Sequence, residues 1–485
     1  MSSQLRRGSM PFYAMVAAVV AGVLPIIGPI EVTAFISDAG PAAIWPVIIG
    51  YALFVLVSLP ILEYTRIVPF TGGYYGLAEL GFGRGAGKFT ALGNYFFYNW
   101  WQAANAFFIG WLLVDTLYYV YHTMPPMWVW LLAGIATLAV TYAMAVQPAR
   151  RLGNVLTAAV IAALIVVVAF TVAVIARSPY NSAYFLNPAT SSGGLRGLML
   201  ATAIVGFFTF AGYGTALFYT EEGANPTRDA WRAIYIGLTI SAVAIAIAAY
   251  SELVAVPRGE LSNVISAPLP QIAAWSRYFP LAALAALNFV ILLVSLIAFG
   301  AGGGSQARLL WAMARDNFIR SGWLKRLSRH DVPANAALLN FIVALATTLA
   351  VGLSLVKVYG YNTSTVAVAW YVMGTASSIT WYFHHFVPEF GLFPYLRRRP
   401  ELRFSAARKV ISGLLFPVLG TALFVYTFYE GVISDLAEPY FAFVAASLSV
   451  MAGVAAYTAY KARAGQLGES VVTYMAAEAG RKTSG

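Results

Sequence analysis

The chain has 485 residues, of which 60% are hydrophobic and 10% charged, where soluble domains carry about 25% charged residues; this composition places it in a membrane. It contains no cysteine, which excludes a disulfide framework and thiol chemistry. The net charge of +11 is spread over many short polar segments without a compact basic patch, so a nucleic-acid partner is not expected.

About 20 apolar residues cross the hydrocarbon core of a bilayer. Such runs recur at 11–36, 41–65, 89–120, 126–146, 153–176, 198–220, 231–256, 280–304, 334–355, 364–388, 409–432 and 439–460. The prediction is an all-α polytopic membrane protein with twelve transmembrane helices over 1–460 and a polar tail at 461–485. The first run follows Arg6-Arg7 as a signal peptide would, but it is too long for an h-region and leads directly into further spans, so it is expected to be retained. With the N-terminus inside, only Arg177, Arg196, Arg258, Arg277 and Lys357 fall outside, and every other Lys and Arg is internal. That asymmetry predicts a multi-pass cell-membrane protein with cytoplasmic N- and C-termini.

In chain order, the first span is interrupted at Pro25-Ile26-Ile27-Gly28-Pro29. Pro29 removes a backbone donor and, with Gly28, frees peptide groups near mid-membrane. Glu31 follows two residues later. A carboxylate inside a span costs about 2.5–3.5 kcal/mol on insertion scales, so it is expected to face a cavity or a partner; a first-turn acid that complements the helix dipole is the structural alternative. After the second span, Tyr74-Tyr75 and the run Gly-Phe-Gly-Arg-Gly-Ala-Gly suggest a short re-entrant connection. No strand precedes that run and no Lys-Ser/Thr closes it, so it is not a phosphate loop. On the third span, Tyr98, Gln102 and Asn105 share one helical face, and a polar stripe in a bilayer faces protein. Tyr98 and Asn105 are the candidate substrate neighbours there, while Asp115 is expected to be solvated near the outer interface.

The sixth span reads Phe-Phe-Thr-Phe-Ala-Gly-Tyr-Gly from Phe207 to Gly214 and is interrupted at Gly212 and Gly214. Non-helical backbone survives at membrane depth only where it lines a protein-enclosed or water-filled cavity. At its inner end Glu221-Glu222 face a choice between a solvated loop and a latch onto the loop bearing Arg315-Asp316. Asn288 and Ser295 on the eighth span, and Thr375 and Ser378 on the tenth, are further polar candidates. His384-His385 point about 100° apart on a helix and cannot chelate one metal together; an anchoring role near the inner interface is expected. No metal, no cofactor and no nucleophile–base pair is expected within the spans, so the chain does not read as an enzyme.

The two interruptions lie five spans apart. Because five is odd, the second copy enters from the opposite side, which predicts inverted repeats over roughly 11–176 and 198–388 with peripheral helices at 409–460. Broken helices in matching positions of two inverted halves point to a midplane binding site.

Four stretches then resemble the amino acid–polyamine–organocation superfamily of permeases. They are Ala39-Gly-Pro-Ala-Ala-Ile-Trp45 continuing to Glu63 and Pro69-Phe-Thr-Gly-Gly-Tyr-Tyr75; Phe210-Ala-Gly-Tyr-Gly214 with Glu221-Glu222 and Asn225-Pro226; Ala307-Arg-Leu-Leu-Trp-Ala-Met-Ala-Arg-Asp316; and Val332-Pro-Ala-Asn335. The resemblance implies a five-plus-five inverted repeat with broken helices 1 and 6, alternating access, and a small amino acid or amine as substrate. It implies that Ile27, Gly28 and Pro29 meet the substrate carboxylate. The exposed backbone of Phe210, Ala211, Gly212, Tyr213 and Gly214 meets the amino group, and Phe208 covers the substrate. The chain departs from the pattern in having one glycine where many members have Gly-x-Gly, and Gly214 where many carry an acid. The fifth span has no Lys, and the eighth lacks adjacent hydroxyls for sodium.

Together these readings predict a secondary-active permease or exchanger for amino acids or related amines, with Glu31 either coupling transport to a proton or pairing with a cationic amine of the substrate. A solute sensor on the same fold, or a polyamine or organic cation transporter, is the alternative.

Overall fold

A computed structural model describes residues 5–202, 208–267, 269–433 and 436–476, excluding the side chains of Glu31, Thr33, Ala34, Phe208, Thr427 and Val432. Among these residues ten helical stretches are long and apolar enough to cross a membrane. The chain opens with α1 (Phe12–Val23), one 3-10 turn at Pro25–Ile27 and α2 (Gly28–Ala39). Leu24, between α1 and that turn, adopts φ 59° and ψ 53°. A left-handed conformation costs a side-chain-bearing residue about 1–2 kcal/mol, and Pro25 has no N–H to offer the carbonyl of Ala21 one turn back. The helix therefore stops at Leu24, just before the segment expected from the Pro and Gly residues.

Next come α3 (Ile44–Ile67), the short α4 (Tyr74–Phe82), α5 (Arg84–Tyr121), α6 (Met127–Ala145), α7 (Ala149–Arg177) and α8 (Gly194–Ala201). The re-entrant connection anticipated around Tyr74 is the nine-residue α4, most of which is buried. From Phe208 to Glu222 the chain is a 3-10 helix of 15 residues, where 3-10 runs rarely exceed three or four. The remaining helices are α9 (Pro226–Leu253), α10 (Leu261–Ile265), α11 (Pro270–Trp275), α12 (Leu281–Arg315), α13 (Ala334–Tyr359), α14 (Thr363–Arg397), α15 (Ala406–Val410), α16 (Phe416–Phe428) and α17 (Tyr440–Arg463).

Two of the twelve expected spans are not among the ten apolar stretches. One is 198–220, divided between α8 and the 3-10 segment. The other is 364–388, which lies within α14, a helix of 35 residues whose polarity comes from His384, His385, Glu389 and basic residues near its end. The two segments least suited to lipid thus both border the central cavity described below. They are shielded by their neighbours: α14 packs on α5, α4 and α17, and the 3-10 segment packs on α1, α9 and α12.

Both ends of the described chain lie at one pole of the bundle. The Met10 amide donates to the Glu222 carbonyl at 3.0 Å, and the Glu469 amide donates to the Asp316 carbonyl at 2.6 Å. Arg177, Arg258 and Arg277 pair with groups of the opposite pole, including Tyr278, Ser182 and Glu260.

Candidate functional site

The two interrupted segments meet at a pair of glycines. A Cβ added to Gly22 of α1 would stand 2.3 Å from the Gly212 carbonyl oxygen, and one added to Gly212 would stand 1.9 Å from the Gly22 carbonyl oxygen. Backbone touches backbone here, and no other residue fits at either position without separating the segments. The contact is fastened by Thr215, whose hydroxyl donates to the Ala18 carbonyl at 2.8 Å. Tyr219 holds the same segment to α12 through the Ala301 carbonyl at 3.2 Å.

Beside this contact lies a central cavity. Ala21 and Gly22 form one wall with Ala211, Gly212, Gly214 and Thr215. The opposite walls are aromatic: Tyr74 from α4, Phe97, Tyr98 and Trp101 from α5, Phe299 from α12, and Trp381 with His384 from α14. The space open to water centres is about 20 Å³, enough for about one water molecule. In this conformation the helices close around the cavity, and a larger solute needs them to part.

Of the residues singled out in the sequence, Tyr98, Ala211, Gly212 and Gly214 line this cavity. Tyr213 is buried behind it. Phe210 turns the other way, against Tyr51 and Phe54 of α3 at 6.0 and 6.1 Å between ring centroids. Gly28 faces Ile245 and Ala248 of α9, and Ile27 and Pro29 are buried beside it, outside the cavity lining. Asn105 is buried farther along α5. Asn288 belongs to a separate polar knot: it accepts from Gln271 at 3.3 Å and donates to Thr116 at 3.1 Å. Ser378 donates to the Gly374 carbonyl of its own helix. The side chains of Glu31 and Phe208 lie outside the described residues. Asp115, expected to be solvated, is buried with 3% of its surface exposed, because α5 runs on to Tyr121 before it ends.

One pole is closed by buried charge. Glu222 receives two bonds from Arg308, at 2.5 and 3.0 Å, and Glu221 pairs with Arg315 at 3.1 Å. Lys88 sits between Asp316 at 2.8 Å and Glu79 at 3.2 Å, and Tyr75 donates to the same Asp316 oxygen at 3.0 Å. The latch reading of Glu221-Glu222 therefore applies, extended by residues from α4 and α5. The tail joins it, since Lys88 also reaches the Glu469 carbonyl at 3.4 Å. Farther out, Glu63 of the second span accepts from Arg408 at 2.6 Å.

From the sequence, His384 and His385 are expected to anchor near the inner interface, and the structure corrects this. Both are fully buried rather than interfacial. His384 lines the cavity and contacts the Thr380 carbonyl at 3.0 Å. His385 stacks on Trp381 with ring centroids 4.2 Å apart. Its Nε2 lies 2.5 Å from the Tyr213 hydroxyl, and its Nδ1 lies 2.5 Å from Glu389 Oε1, an approach that is not aligned as a hydrogen bond. The signal was present in the sequence: three ionisable residues within six positions of one span follow the rule applied to Glu31.

Among the described residues, no group of three or more His, Asp or Glu side chains is placed to hold a metal ion. The chain matches the family model described as amino acid permease over residues 12–468. Its fold is similar to crystal structures of two single-residue variants of the Eremococcus coleocola manganese transporter. Each has a TM-score of 0.61 at 14% identity, covering 93% of this chain and 95% of the other. No curated protein matches significantly.

Proposed function

Since the chain belongs to the amino acid permease family, and is a multi-pass membrane transporter rather than an enzyme, we propose that it carries amino acids or related amines by alternating access as a secondary-active permease or exchanger. The observation that carries this reading is the Gly22–Gly212 backbone contact, which joins two interrupted segments at the edge of a closed central cavity. Interrupted segments supply carbonyls and amides that complement an ammonium and a carboxylate. Thr215, Tyr98 and the backbone of Ala211 and Gly212 are the polar groups nearest the solute, Phe208 covers it, and the aromatic walls hold its side chain.

The pole bearing both ends of the described chain, with most of the Lys and Arg residues, is assigned to the cytoplasm. The closed charge cluster at that pole is then the inner gate. With no Lys in α7 and no adjacent hydroxyls on the outer half of α12, transport is expected to be independent of sodium. The aromatic lining also favours a second reading as a carrier of organic cations, because ammonium groups bind over the faces of Trp and Tyr rings.

Purified protein screened by thermal shift against amino acids, polyamines and quaternary amines tests the reading, since a ligand of the folded state raises the melting temperature. Stabilisation by an amino acid, with uptake of that amino acid into proteoliposomes, supports it. Stabilisation by quaternary amines alone favours the second reading. Binding without flux makes the protein a sensor.

A further inference from the structure

The pair His385–Glu389 has no part in the solute site, yet it is built next to it. Both side chains are fully buried. They stand one helical turn apart on α14, between the cavity and the closed pole. Glu389 lies five positions after His384, which lines the cavity, about 7.5 Å along the helix axis. Glu389 has no hydrogen-bond partner among the described residues, and no Lys or Arg pairs with it there. The groups packed around the pair are few. α4 contributes the Tyr74 ring, 5.2 Å from that of His385. The 3-10 segment contributes Tyr213, and α3 contributes Phe54 at 6.5 Å. α14 itself adds Trp381, Tyr382 and His384, α5 reaches His384 with Phe97, and α16 reaches Phe386 with Phe424. Tyr74, Tyr213, Tyr382 and His384 are thus the only titratable neighbours named by these contacts, and none is permanently charged.

An uncompensated carboxylate in such surroundings is expensive, and a carboxylate that shares a proton with an imidazole is not. We propose that His385 and Glu389 form a proton-binding site that couples transport to a proton gradient through Tyr213. In the loaded form Glu389 is a neutral carboxyl and His385 a neutral imidazole with its hydrogen on Nε2; a turn of the carboxyl aligns its O–H with Nδ1, and the pair carries no net charge. On unloading, the carboxyl proton passes to Nδ1 and the Nε2 proton leaves to water, so a carboxylate beside a neutral imidazole remains and the pair carries one negative charge. The link to the cavity is Tyr213, which belongs to the same 3-10 segment as Gly212 and Gly214. While the Nε2 of a neutral His385 carries no hydrogen, Tyr213 donates to it. In the loaded form Nε2–H is the donor, and the Tyr213 hydroxyl hydrogen turns away, toward the neighbouring Tyr74 hydroxyl. Protonation on α14 is thereby felt as a reversed hydrogen bond on the segment that touches the solute. The coupling step rests on the transporter reading above, whereas the proton site itself does not.

Two measurements separate the claims. Infrared difference spectra between acid and alkaline buffer, recorded on the full-length reconstituted protein without solute, are expected to show a protonated-carboxyl band that is lost in Glu389→Gln and shifted in His385→Asn. A band unchanged in both variants overturns the proton site. In proteoliposomes, labelled alanine, leucine and arginine are each followed by counterflow and by uptake driven by an inward proton gradient. The ratio of driven accumulation to counterflow is expected to fall at least tenfold in Glu389→Gln. A ratio equal to wild type there, with loss only in Glu31→Gln, overturns the coupling. If none of the three amino acids exchanges, the substrate reading fails while the infrared band still decides the proton site.

Discussion

Between Val23 and Gly28 the chain leaves α-helical geometry through one left-handed residue, Leu24, and a single 3-10 turn. From Phe208 to Glu222 it is wound as a 3-10 helix for 15 residues. The first interruption is apolar, made by Leu24, Pro25 and Ile26 against a small greasy recess between α7 and α12. The second carries threonine hydroxyls, Tyr213 and Tyr219, and ends in two ion-paired glutamates. Glycine matters in both regions for different reasons. At Leu24 the backbone angle favours glycine although leucine stands there; at Gly212 the angle is ordinary and the space is missing. Interruption alone therefore does not define a site. The cavity forms where an extended polar interruption lies against a compact apolar one.

Substitutions in the two interrupted segments and their partners are expected to have graded effects. The largest effect is expected from Arg308→Ala, which strips the buried Glu222 at the end of the long segment of its partner. Removing one member of a buried ion pair costs about 3–5 kcal/mol, read as a lowered denaturation midpoint; a midpoint equal to wild type shows that the segment needs no anchor. Gly212→Ala forces the two segments apart, and overpacking of this kind costs about 1–3 kcal/mol. It should abolish uptake while the protein still inserts. Gly214→Leu should do the same, because its Cβ alone would lie 2.0 Å from the Tyr74 hydroxyl. Normal uptake by either variant removes close contact from the argument. Phe208→Ala should weaken solute binding by about 1–3 kcal/mol, the value of a buried ring, measured by calorimetry with the amino acid that stabilises the protein most. At the short interruption, Leu24→Gly should be more stable than Leu24→Ala by about 1 kcal/mol, inverting the usual helical order, because only alanine retains the left-handed penalty. The usual order at that position would mean that Leu24 is not held left-handed.

The family and the fold were legible in the sequence because Pro25, Gly28, Pro29, Gly212 and Gly214 are costly in a lipid-facing helix, and their spacing shows which two spans are protected. Tyr98 could be picked out by its polar stripe, and it does line the cavity. The positions of Gly28 and Phe210 could not be read, because helical phase is lost at an interruption. Once Leu24 turns left-handed, the face that α2 presents depends on its packing against α9. The adjacency of His384 and His385 excludes a shared metal but is silent about proton exchange with a residue one turn on. The aromatic wall was legible only as abundance. That Phe97, Trp101 and Trp381 converge on one cavity follows from the packing of α14 on α5, which is a tertiary fact. Trp and Tyr residues at span ends in the sequence looked the same as those of an interfacial belt.

The winding of 208–222 also sets a length. A 3-10 helix rises about 2.0 Å per residue and an α-helix about 1.5 Å. Each residue that passes from the first to the second shortens the segment by about 0.5 Å, so rewinding four residues draws its ends together by about 2 Å. One end is pinned by Arg308 and Arg315, and the middle is pinned by Thr215 against α1. A small change of pitch between those pins becomes a pull along the axis, and the segment can act as a spring whose rest length is written in its hydrogen-bond register.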